Sequence, residues 1–198
     1  RWETPDGDFI DVDHLDGPPA SPLLVLFHGL EGSSRSHYAI ATAHACRAIG
    51  WRLALPHFRG CSGELNRRPR AYHSGDSAEI DWILRRLHQA NEGRPLHATG
   101  ISLGGNALLK WAGEQGPAAA ELVSGVAGIC APLDLAACGH HLARGFNRVY
   151  TRHFLDTLKS RSAARLQRFP GLFDETRMRH SRNLWDFDDA VTGPVHGF

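Results

Sequence analysis

Along the first two thirds of the chain, short apolar runs alternate with amphipathic stretches, separated by loops rich in glycine and proline. Leu23-Leu24-Val25-Leu26-Phe27 is continuously apolar, as expected of a strand covered on both faces in a mostly parallel sheet. Trp51 to Pro56, Pro95 to Ile101 and Val123 to Ala131 are further candidate strands, the last tolerating Gly125 and Gly128 inside it. Ser36 to Ile49 reads as a helix closed by Gly50. Asp76-Ser77-Ala78-Glu79 has capping-box spacing, and Ile80, Ile83, Leu84 and Leu87 then mark one helical face. Ala107 begins another helix, to about Gln115. Strands and helices alternating at this pitch predict βαβ units and a parallel sheet. Arg1 to Leu15 reads as a hairpin around the turn Thr4-Pro5-Asp6-Gly7-Asp8, and Asp16 to Pro22 as a loop.

After Pro132 the texture changes. Leu133 to about Phe169 is predicted helical, with many Arg and His residues, and Phe146, Val149, Tyr150, Phe154, Leu155 and Leu158 would line one face. Asn183 to Ala190 reads as one more short helix. The expected organisation is the first part of an α/β core over residues 1–132 and a helical cap over residues 133–198.

The totals narrow the function classes. With 198 residues, 42% hydrophobic and 22% charged, the chain suits one domain with a real core. Its net charge of +1 points to no nucleic-acid partner. The 13 histidines are scattered without metal-ligand spacing, and His140-His141 reads as a solvated pair, so neither a metal nor another cofactor is expected. Cys46, Cys61, Cys130 and Cys138 form no CxxC motif, which suits free thiols in a reducing, cytoplasmic setting. No apolar run is long enough for a membrane span. The chain opens Arg1-Trp2-Glu3 and has one methionine, Met178, so it reads as a piece of a longer polypeptide.

The chemistry gathers around Gly100-Ile101-Ser102-Leu103-Gly104, between a candidate strand and a candidate helix. This G-x-S-x-G pattern is that of a nucleophile elbow, in which glycines let backbones approach while the serine sits at a strained apex facing unpaired helix N–H groups. Alone, it also describes a glycine-rich turn with an incidental serine. His28-Gly29-Leu30, directly after an earlier strand, makes the pattern more specific: the amides of Leu30 and Leu103 would form an oxyanion hole for Ser102. His28 precedes the serine, against the Ser–acid–His order of this architecture, and reads as a structural histidine. Arg59 and Glu64 are expected to pair and hold the 57–64 loop, and Cys61 shows no activating neighbour.

Phe27-His28-Gly29-Leu30-Glu31-Gly32-Ser33, His57 to Glu64, Tyr72-His73-Ser74-Gly75 and Gly100 to Asn106 resemble the YheT-like α/β-hydrolases, of the AB hydrolase-4 group. Thr4 to Phe9 and the end of the chain, Phe187 to Thr192 and Pro194 to Phe198, are similar too. The resemblance implies an α/β-hydrolase fold and a serine carboxylesterase acting on small acyl esters or lipids through Ser102. It also implies that the catalytic acid and histidine follow the cap, beyond Phe198. Within the chain, the one alternative pair is Asp134, after the strand that follows the elbow helix, and His196, which the family pattern assigns to the end of the cap. An acyltransferase or thioesterase using the same serine, or a non-catalytic module on the same scaffold, would share these motifs. An unfilled sheet edge would favour self-association.

Overall fold

In a computed structural model describing residues 1–198, the turn at Thr4 to Asp8 joins β1 (Trp2–Glu3) to β2 (Phe9–Ile10) in an antiparallel pair. The chain then leaves the hairpin: β3 (Val12–Leu15) pairs antiparallel with β5 at the edge of the main sheet. The segment read from the sequence as one hairpin arm therefore serves two sheets.

The main sheet continues through β4 (Leu23–Phe27), β5 (Arg52–Pro56), β6 (Leu96–Ile101) and β7 (Gly125–Ile129), in the order β3-β5-β4-β6-β7. All pairs except β3–β5 are parallel. The connections are α1 (His37–Ala48), α2 (Ser77–Ala90), and α3 (Leu103–Gln115) followed by the short α4 (Ala119–Leu122). The continuous apolar run of β4 resolves into two alternating faces. Leu23, Val25 and Phe27 pack with Ile80, Ile83, Leu84 and Leu87 of α2 and Leu108 and Trp111 of α3. Leu26 packs on the other side with Ala39 and Cys46 of α1 and with Leu53 and Leu55 of β5. Each large apolar side chain so buried contributes about 1.5–3 kcal/mol. β7 has a ladder partner on one side only.

Two expectations for the loops change. Asp76 stands at the N-terminus of α2, but its carboxylate does not cap the helix; it accepts from Arg70 Nη2 at 2.7 and 2.9 Å. Glu79 does not reach back to Asp76 either. It is buried and accepts from Arg59 Nε at 2.7 Å. Arg59 is thus paired with Glu79, Asp8 and Asp6 rather than with Glu64, which pairs with Arg1. The guanidinium pins the β1–β2 turn to the loop after β5, and long-range partners of this kind leave no spacing signal in the chain.

Beyond β7 the chain is helical: α5 (Leu135–Leu142), a 3₁₀ turn at Gly145–Asn147, α6 (Arg148–Arg168), α7 (Glu175–His180) and α8 (Leu184–Phe187). α8 runs through a π turn at Asp188–Thr192 into α9 (Gly193–His196). Asp134, Asp174 and Asn183 cap three of these helices, accepting from the amides of Ala137, Arg177 and Asp186 at 2.8, 3.0 and 2.8 Å. Leu155, Phe173, Met178, Phe187, Ala190 and Val191 form a separate small core. The stripe expected from Phe146 to Leu158 is not one buried face. Phe146, Val149 and Tyr150 are exposed, Phe154 and Leu158 line a cavity, and Leu155 alone is buried. No helix is long and apolar enough to cross a membrane.

Candidate active site

Ser102 joins β6 to α3 with φ 51° and ψ −117°, a backbone conformation that a residue with a Cβ adopts only under constraint. Three bonds hold it. The Ser102 N–H donates to Ile129 O at 2.8 Å, the Asn106 N–H donates to Ser102 O at 2.9 Å, and Asn106 Nδ2 donates to Pro132 O at 2.8 Å. The turn is thereby tied to the end of β7. The flanking glycines are a steric requirement. A Cβ on Gly104 would sit 2.4 Å from His28 O, and one on Gly100 2.4 Å from Gly104 O.

The loop after β4 lies against this turn. A Cβ on Gly29 would fall 3.4 Å from Ser102 Cβ. The Gly29 N–H donates to Tyr38 Oη at 3.0 Å and the Glu31 N–H to Tyr72 Oη at 2.9 Å, whereas the Leu30 N–H between them has no partner within these 198 residues. Leu103 is the first residue of α3, where helix geometry leaves the N–H groups without intrahelical acceptors. Leu30, Ser102 and Leu103 line one cavity of about 480 Å³, roofed by α5, α6 and the turns around α8. Its wall is mainly apolar, and the polar groups on it include Glu31, Tyr72, His73, Arg161 and Arg165.

His28 is fully buried and both ring nitrogens are engaged. Nε2 accepts from the Phe58 N–H at 3.0 Å, which makes Nδ1 the protonated nitrogen; it donates to Gly29 O at 2.8 Å. Burial pushes its pKa down to about 4, so the ring is a neutral strut for the loop. Tyr72 and Glu31 extend that support: Tyr72 Oη donates to Glu31 Oε1 at 2.8 Å, and Arg161 Nε of α6 lies 3.1 Å from Glu31 Oε2. Cys61 is buried beside Arg161, with its pKa pushed up to about 11 by burial, and stays a neutral thiol. All four cysteines are free.

The structure does not join Asp134 to His196. The Asp134 carboxylate caps α5, and His196 packs against His73 and Phe198, with ring centroids 4.3 and 5.6 Å away. Neither makes a hydrogen bond to the other or to Ser102. His140 stacks on Trp185 with centroids 6.0 Å apart, and no group of three His, Cys, Asp or Glu side chains converges to hold a metal. Sequence reasoning gave no role to Glu31, Tyr72, Arg161 or Arg165. Glu31 and Tyr72 lie within the segments Phe27–Ser33 and Tyr72–Gly75 that carry the family resemblance. The arginines had only their i, i+4 spacing, which on a helix more often marks a solvated face.

A family model described as the alpha/beta hydrolase fold matches residues 22–186. "Putative esterase YheT" of Escherichia coli (strain K12) is 40% identical over 206 residues, covering 100% of this chain and 59% of that protein. "Phospholipase ABHD3" of Mus musculus is 24% identical over 205 residues, covering 99% of this chain and 49% of that one. The chain thus spans between about half and three fifths of the length of these relatives. Among solved structures, Est1E from Butyrivibrio proteoclasticus with bound ferulic acid has a TM-score of 0.53 at 15% identity, covering 64% of this chain and 50% of that one, a likeness of fold alone.

Proposed function

The chain belongs to the alpha/beta hydrolase fold family, and from that premise we propose that the whole protein is a serine carboxylic-ester hydrolase with Ser102 as nucleophile. The observation that carries the proposal is the constrained Ser102 turn opening on an apolar cavity beside an unpartnered Leu30 amide. The names of the esterase and phospholipase relatives agree with it. Ser102 Oγ adds to the acyl carbonyl, and the oxyanion that forms accepts hydrogen bonds from the Leu30 and Leu103 amides. The alcohol departs with a proton, and water then releases the acid from the acyl-enzyme. The base and the acid that serve this cycle come from outside these 198 residues. That assignment is supported by His28, whose nitrogens are both occupied, and by Asp134, whose carboxylate is used as a helix cap. The open edge of β7 suits further strands of the polypeptide; without them the same edge favours pairing with a second copy. The four free thiols fit a reducing, cytoplasmic compartment.

The test uses the full-length protein. A fluorophosphonate probe should label Ser102, and Ser102→Ala should abolish labelling and lower turnover of p-nitrophenyl butyrate by a factor on the order of 10³ or more. Labelling at another residue, or turnover surviving Ser102→Ala, overturns the reading.

A further inference from the structure

The cavity above Ser102 is lined by a guanidinium that makes no hydrogen bond or ion pair within these 198 residues. Arg161, Arg165 and Arg168 occupy positions i, i+4 and i+7 of α6, so their stems leave the same face of the helix. The outer two reach acceptors on the loop after β5. Arg161 Nη1 donates to Gly60 O at 2.9 Å, and Arg168 Nη1 donates to Leu65 O at 3.3 Å. Arg161 also faces Glu31. Arg165, between them, is 8% exposed, lines the cavity, and makes no side-chain hydrogen bond or ion pair. None of the acidic side chains on the same wall pairs with it. Glu31 accepts from Tyr72 and faces Arg161, Asp188 accepts from Thr192 Oγ1 at 2.6 Å, and Asp189 pairs with Arg177.

An arginine stays charged even where burial pulls its pKa down. A buried guanidinium without an acceptor is costly, and its planar fork of donors matches a phosphate or carboxylate. The surrounding wall, with Leu135, Leu142, Phe154 and Leu158, suits an acyl chain. We propose that Arg165 binds an anionic group, phosphate or carboxylate, carried by the substrate, so that the site selects acyl esters bearing a negative charge. This rests on the Ser102 cavity being the ester site.

Binding and turnover separate the two claims. In full-length protein carrying Ser102→Ala, decyl phosphate, decanoate and decanol are titrated by calorimetry, with inorganic phosphate alone as the free-anion arm. The amphiphilic anions should bind roughly ten- to hundredfold more tightly than decanol. Tighter binding of decyl phosphate than of decanoate assigns a phosphate, the reverse a carboxylate, and comparable binding of inorganic phosphate a free-anion site. Arg165→Met should erase the anion preference and Arg165→Lys restore part of it. In the Ser102 protein, Arg165→Met should lower kcat/KM for mono-p-nitrophenyl adipate, relative to p-nitrophenyl hexanoate, by a similar factor. Because Arg165 has no partner, Arg165→Met should melt at the same or a higher temperature than the unsubstituted protein without ligand. Equal binding of decanol and the anions, an anion preference that survives Arg165→Met, or a large loss of thermal stability in that variant each overturns the proposal. Arg165-dependent binding without hydrolysis of either ester would instead overturn the hydrolase reading and leave the anion site standing.

Discussion

The strands up to Ile129 and the helices after Pro132 bury side chains in different ways. Only ten of the fifty buried residues lie in the last third of the chain, and four of those ten are polar: Thr151, Ser162, Arg165 and Ser181. In the sheet, burial repeats. Ladder bonds fix the backbone, and alternate residues of β4 and β5 fall on opposite apolar faces. In the helices after Pro132, α6, α8 and α9 touch a small separate core on one side and a cavity on the other, α7 touches only the core, and α5 lines only the cavity. The sheet region holds the Ser102 turn, while the helices after Pro132 leave room above it. A region that encloses space gives up apolar contact, so the helices after Pro132 should be the less stable part of these residues.

Glycine provides the largest test of that contrast. A methyl on Gly104 would meet two backbone oxygens, His28 O at 2.4 Å and Phe27 O at 2.5 Å, and no flexible side chain lies there to yield. Gly104→Ala should cost more than about 4 kcal/mol, read as lost folding or a collapsed urea midpoint. Gly139 of α5 has nothing within 4 Å of the same added methyl, and Gly139→Ala should stabilise by about 0.5–1 kcal/mol through helix propensity. Similar effects at both sites would erase the distinction.

Ion pairs should separate the two regions next. Arg59 is 3% exposed at its side chain, between Asp8 at 0% and Glu79 at 2%. Arg59→Met removes the cation between two buried carboxylates, of which Asp8 keeps its bonds from Phe9, Asn66 and Arg67, and should cost about 3–5 kcal/mol. Arg177 and Asp189, after Pro132, are both more than half exposed, so Arg177→Ala should change stability by at most about 1 kcal/mol. Urea unfolding of both variants measures the ratio.

The histidines test it through pH. His28 has its pKa lowered to about 4 by burial, below the ordinary 6.5. Between those values the unfolded chain binds a proton that the folded one refuses. Its contribution is therefore complete above about pH 6.5 and is lost as pH falls toward 4, amounting to about 3 kcal/mol. His196, after Pro132, is shifted in the same direction, to about 4, by burial; its ring is only partly buried as a whole, so its share should be smaller. Unfolding free energies measured from pH 4 to 7 should lose most of their slope in His28→Asn and little of it in His196→Asn.

These contrasts also explain what could be read in advance. The Leu23–Phe27 run, the α2 periodicity and the glycines around Ser102 are local consequences of ladders, helical pitch and close approach, so each leaves its signature in adjacent residues. The partners of Arg59 lie 51, 53 and 20 residues away and leave none. The spacing of Asp76 and Glu79 matched a capping box, and the helix does start there, yet both carboxylates turn to arginines instead. The cavity was hidden for a related reason. It exists only once α5, α6 and α8 are laid over Ser102, and the residues facing it follow no single hydrophobic period.

The smallest effect is expected along the stretch where sequence and structure part most clearly. From Phe146 to Leu158 the apolar residues look like one stripe, yet Phe146 is 82% exposed, Val149 59% and Tyr150 58%, while Leu155 is 5% exposed. Burial, not residue type, should set the cost. Leu155→Ala, which opens a void beside Phe173 and Met178, should cost about 2–5 kcal/mol and serves as the internal ruler. Phe146→Ala removes a larger side chain but should stay within about 0.5 kcal/mol of the unsubstituted protein. Val149→Ala should stabilise by a few tenths of a kcal/mol (~0.3), because alanine gives up no χ1 freedom in a helix. Equilibrium unfolding of the three variants in the full-length protein decides. If Phe146→Ala instead costs more than about 1.5 kcal/mol, the aromatic is covered by another part of the polypeptide or by a second copy, and this helical region is better packed than these 198 residues make it.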